Sequence, residues 1–152
     1  MACLKDIMVY LLVSFPKRQS YSSRLIKCMY LADWKHAIHH GKQISNLNWY
    51  FDNYGPFAIE VLEVAKSSDE FQVTQERKYL GLVNSHIRLA KKIKSNINKE
   101  EQSSLDHVIK VTKELSWDQL MQLVYSTHPL MTSDRFSRLN LVEKALEYTT
   151  QT

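Results

Sequence analysis

Glycine and proline are scarce in this chain, with three of each among 152 residues. An all-β sandwich needs turn residues at roughly every tenth position, so the scarcity favours a helical or mixed fold. Three isolated glycines cannot build a glycine-rich phosphate cradle, and no Gly-x-Ser-x-Gly nucleophile elbow occurs. The two cysteines, Cys3 and Cys28, form no Cys-x-x-Cys pair and no disulfide framework, so both are expected to be reduced or buried thiols in a cytosolic protein. Long apolar runs are also missing. The stretch "IMVYLLVSF" is too short to span a bilayer and no small-residue cleavage site follows it, so it is expected to be a helix of the folded domain. Repeats and low-complexity tracts do not occur.

What is present suits one domain over residues 1–152 with a substantial core: 44% hydrophobic and 24% charged residues. Leu4, Ile7, Met8, Leu11, Leu12 and Phe15 have the spacing of an amphipathic helix that Pro16 stops. The link "KRQSYSS" offers serines to cap a second helix over about 22–40. Apolar residues lie on two stripes of that helix, which marks it as central, and Gly41 is its expected left-handed terminator. Trp49 to Asp52 alternate as a strand. Gly55 supplies the turn, and Pro56 suits the first position of a third helix. "FQV" and "YLGLVNSHIRL" read as two or three short strands, with a turn at Asn84-Ser85.

Asn98 with Glu101, and Ser116 with Gln119, are capping-box pairs that open two further helices; Pro129 is expected to end the second of them. A last helix would carry Leu139, Val142, Ala145 and Leu146. The expected fold is α+β and mostly helical, with about six helices and a small antiparallel β element in the middle of the chain.

Candidate chemistry is sparse. Asp33, His36 and His40 share a helix face. His36 and His40 have the spacing of a zinc-protease helix, but Ala37 stands where that motif needs glutamate. A solvated helix face is the plainer reading, and no metal or cofactor is expected. His128 in "THPLM" is read as a helix C-terminal cap. No identified residue supports an enzyme. Net charge is +4, and Arg88, Lys91, Lys92, Lys94 and Lys99 cluster with Tyr79 and His86 nearby, although Glu100 and Glu101 offset part of the field. That cluster is either a solvated loop or a nucleic-acid patch.

Three segments carry a resemblance. "RLIKCMYLADWKHAIHHGKQI" resembles the helix of Panacea domains, the SocA-like antitoxin family. "WYFDNYGPFAIEVLEVAK" is similar to that family's strand–turn–helix, and "ELSWDQLMQLVYSTHP" to its late segment. The order and spacing match over about residues 4–130. Residues 131–152, expected to be a C-terminal helical segment, are less well covered. Cys28-Met29 replaces the usual paired leucines, a tolerable core exchange.

The resemblance implies a mostly helical domain of a bacterial, phage or mobile-element system that neutralises a toxin encoded beside it. The neutralisation would be by direct binding or, in a minority of members, by delivering the toxin to a protease. It implies no catalytic residues. Candidate partner-binding residues are Trp49, Tyr50, Tyr54, Gly55, Pro56, His36 and His128, with a core role for Trp49 left open. The alternative is a nucleic-acid-binding regulator using residues 88–99, with Arg88, Lys91, Lys92 and Lys94 as its contacts. Cognate toxin, with nucleic acid as the alternative, and no membrane, are the expected partners.

Overall fold

The computed structural model describes residues 2–77 and 83–151. Among them are seven helices: α1 (Leu4–Ser14), α2 (Ser22–His40), α3 (Ile59–Ser67), α4 (Lys99–Thr112), α5 (Trp117–Tyr125), α6 (His128–Met131) and α7 (Leu141–Thr150). Six strands accompany them: β1 (Gln19–Tyr21), β2 (Trp49–Asp52), β3 (Gly55–Phe57), β4 (Phe71–Arg77), β5 (Val83–Leu89) and β6 (Arg138–Leu139). They form two antiparallel three-stranded sheets, ordered β1-β5-β4 and β3-β2-β6. The α+β, mostly helical class is therefore as the sequence indicates.

The two-striped pattern of α2 has its expected consequence. It packs against α1, α4, α5 and α7 and against strands of both sheets, burying Leu25, Ile26, Cys28, Met29 and Tyr30 among others. Each large apolar side chain so buried contributes about 1.5–3 kcal/mol before entropy is counted. Gly41 closes the helix at φ 70°, as its position predicts. Both capping boxes form with reciprocal bonds: Asn98 with Glu101, and Ser116 with Gln119.

Elsewhere tertiary pairing overrides local chemistry. The link after Pro16 is a tight turn followed by β1, and Tyr21 rather than a serine occupies the start of α2, with no side-chain cap. Pro56 does not open a helix. It lies in β3 opposite Phe51, and α3 begins at Ile59. A strand can take a proline here because β3 is an edge of its sheet.

Asn84 and Ser85 are not a turn but lie within β5, opposite Glu76 and Gln75. The connection between β4 and β5, with Tyr79, lies outside the described residues. Pro129 does not end α5, which stops at Tyr125; it sits in the first turn of α6 instead, where its missing N–H is tolerated. Leu139 belongs to β6, not to the last helix, so the β structure draws on both ends of the chain as well as its middle.

The Asn98 box predicts a local effect. Asn98→Ala should lower unfolding free energy by about 1 kcal/mol in urea titration with an unchanged slope.

Candidate functional site

Asp33 is 2% exposed, halfway along α2. One carboxylate oxygen accepts from the backbone N–H groups of Ile44 and Ser45, both at 3.0 Å. The other accepts from the Trp49 indole at 2.9 Å, the Ser45 hydroxyl and, more distantly, the Gln43 amide. Burial pushes this carboxyl above its ordinary range, while the donors on Ser45, Trp49 and Ile44 pull against it. The Asp33 contacts set the path of the segment between α2 and β2.

Lys27, two turns earlier, is also buried, and its Nζ donates to the Pro56 carbonyl at 3.0 Å. Burial lowers its pKa to about 8, against the opposing pull of Asp52. Gly55, at φ 97°, brings the hairpin backbone against Lys27 and Tyr125; a Cβ there would lie 3.7 Å from each. Farther along, the Tyr30 hydroxyl pairs with that of Thr127 at 2.8 Å, and His36 Nδ1 with the Ser104 hydroxyl at 2.9 Å. His128 Nε2 meets Glu147 of α7 at 3.1 Å, and its ring stacks beside Trp34.

Five of the seven expected partner-binding residues are thus interior. Trp49 is 2% exposed and takes the core role, edge-on to Tyr30. His36 and His128 are buried, as are Gly55 and Pro56. The Asp33/His36 face of α2 is therefore not a solvated one, and His128 opens α6 instead of capping a helix end.

Tyr50 and Tyr54 face solvent. Across the β3-β2-β6 sheet, Phe57, Tyr50 and Arg138 are paired in register, so they share a face, and the opposite face buries Trp49, Phe51 and Leu139. Tyr54, 71% exposed, stands at the hairpin tip.

Two neighbours were invisible in the sequence pattern. Arg138 sits in a two-residue strand too short to show alternation. Phe136, 57% exposed, adopts φ 67°, a conformation that penalises a bulky side chain. Its backbone N–H is held by the Phe51 carbonyl at 2.6 Å.

The basic stretch lies on the surface, though Arg88 belongs to a strand rather than a loop. Arg88 is in β5 and bonds Gln72; Lys91, Lys92 and Lys94 follow on exposed chain.

A mostly helical domain with a buried polar spine along α2 and an aromatic outer sheet is what this geometry defines. The model of the family "Antitoxin SocA-like, Panacea domain" matches residues 25–129, about two thirds of the chain, and the chain belongs to that family. The match begins at Leu25, so α1 lies outside it. No curated protein and no solved structure matches. Among the described residues no helix is long and apolar enough to cross a membrane.

Two outcomes follow from the spine. In Asp33→Asn an amide N–H₂ must face donors on one side or the other, leaving a buried donor unpaired. Stability should fall by roughly 3 kcal/mol in denaturant titration. For Lys27, the folded form releases its proton near pH 8, whereas the unfolded lysine keeps it to 10.5. Below pH 8 both states are charged and the contribution is flat; across pH 8 to 10.5 the unfolded state holds more protons, so stability rises. Between about pH 8 and 9.5 wild type should gain about 1.5 kcal/mol relative to Lys27→Met.

Proposed function

We propose that this chain is an antitoxin that acts by binding, not by catalysis, and that the outer face of the β3-β2-β6 sheet is its contact with a cognate toxin. The observation that carries the reading is the shared, solvent-facing register of Tyr50 and Arg138, beside the half-buried Phe57, with Tyr54 projecting at the hairpin tip. Tyrosine and arginine are the residue types that dominate interface energetics, because each brings a rigid, amphipathic or planar group at small entropic cost. Arg138 takes part in no ion pair among the described residues, which leaves its guanidinium available to a partner carboxylate.

The family's partner is a toxin, and the reading for this chain is direct masking of such a protein encoded beside it. Beneath that face, the Lys27–Pro56 and Asp33–Trp49 contacts tie the sheet to α2. A surface fastened in this way has less freedom to lose on binding.

Co-expression with the neighbouring reading frame tests this. Wild type should rescue growth, whereas Tyr50→Ala with Tyr54→Ala should abolish rescue and weaken binding by at least about 10-fold, with an unaltered melting curve. Trp117→Ala, an exposed aromatic outside this sheet, should leave rescue intact. Retained rescue by the double variant would move the contact elsewhere. Rescue that disappears in a protease-deficient host would favour the adaptor reading over masking.

A further inference from the structure

The other sheet has an open face whose chemistry differs from that of the aromatic hairpin. In the β1-β5-β4 sheet the register pairs Tyr21 with His86 and Gln19 with Arg88, while β4 places Thr74 and Gln72 opposite the same two β5 residues. Cross-strand partners and alternate residues share a side, so Tyr21, His86, Gln19, Arg88 and Gln72 form one surface. The reverse side holds Ser20, Ile87, Leu89 and Phe71, all buried.

Tyr21 is 40% exposed, and its ring meets that of His86 edge-on at 5.3 Å. Both border a cleft of about 690 Å³ that Gln19, Lys113 and Glu114 also line. Arg24, at the same cleft, donates to the Thr112 and Leu115 carbonyls and serves to close α4.

Positive charge continues along the ladder. Arg18 directly precedes β1, roughly 10 Å from Tyr21 along the strand. At the end of the sheet it lines, with Lys92 and Lys94, a pocket of about 310 Å³ shared with Val13, Ile93 and Leu89, the last reaching it from the buried side. Both Lys17 and Arg18 adopt left-handed backbone, φ 57° and 53°. Consecutive non-glycine residues in that region store strain of about 1–2 kcal/mol each. Among the described residues, Arg18, Arg88, Lys92, Lys94 and Lys113 enter no ion pair. Lys91 is a lesser candidate, since it lies within electrostatic reach of Glu70.

The geometry points to a single-stranded nucleic-acid site at this sheet, with a base stacked on the Tyr21–His86 pair and the phosphodiester backbone running past Arg88 and around the sheet's end toward Arg18, Lys92 and Lys94. A stacking platform beside a basic track is the arrangement that recognises unpaired strands, because an unpaired base exposes its π-face and a duplex does not. This site shares no residue with the sheet assigned to the toxin and stands whether or not that assignment does.

The test is fluorescence anisotropy of the full chain with labelled oligo(rU) and oligo(dT) of about a dozen nucleotides, and with a duplex of equal length. Single strands should bind. With about four phosphate contacts, affinity should fall roughly 50-fold between about 50 and 200 mM salt. Tyr21→Ala should weaken binding about 10-fold or more while Tyr21→Phe keeps it, which separates stacking from folding. Lys92→Gln with Lys94→Gln should reduce the salt slope by about 1.4. Tighter binding of oligo(rU) than of oligo(dT) would identify RNA as the ligand, and the reverse DNA. No binding at about 50 mM salt overturns the site. Equal affinity for duplex, with Tyr21→Ala unchanged, overturns it too, by reducing the face to nonspecific attraction.

Discussion

Asp33 is a carboxylate removed from water at the centre of the longest helix. Left bare it would cost several kcal/mol, and it is tolerable only because five donors close around it. Those donors come from Gln43, Ile44, Ser45 and Trp49, so satisfying the charge fixes the chain that leaves α2 and delivers β2 in one position. An apolar residue at this point would pack as well and specify less. The charge makes one arrangement of the following segment far better than its neighbours.

Similar tethers recur along the same helix. Lys27 reaches Pro56, Tyr30 reaches Thr127 and His36 reaches Ser104, each a polar contact between α2 and a distant part of the chain. The three segments that carry the family resemblance are therefore one assembly in space: the helix, the hairpin, and α5 with the turn that follows it. This explains why motif residues such as His36, Gly55, Pro56 and His128 proved to be interior. In this chain they hold the framework, and the outward-facing Tyr50, Tyr54 and Arg138 ride on it.

What the sequence made legible was chemistry that acts over a few residues. The capping boxes at Asn98 and Ser116, the terminator Gly41 and the breadth of the apolar surface on α2 all appear as read, because each depends on neighbours within one or two turns. What stayed hidden depends on partners far along the chain. Pro56 has the right chemistry for a helix start, yet pairing with Phe51 draws it into a strand; Asn84-Ser85 has turn composition, yet β4 supplies a ladder. Trp49 alternates like a half-exposed residue, and only the position of Asp33 shows that its indole turns inward. Of the outer sheet, Tyr50 and Tyr54 could be named from their setting. Arg138 could not, since a two-residue strand has no period to read.

β6 has a role out of proportion to its length. It lies along one side of β2, and the segment just before it takes both the N–H and the carbonyl of Phe51. Without these last residues, Trp49–Asp52 would present an uncovered row of backbone groups beside apolar side chains, a template for pairing with other chains. During synthesis this protection arrives late, after most of the domain has been made. A chain cut short near residue 130 would lose β6 together with α7 and the end of α6, baring both the β2 edge and a face of α2, which makes the C-terminal segment a safeguard as well as a source of Arg138.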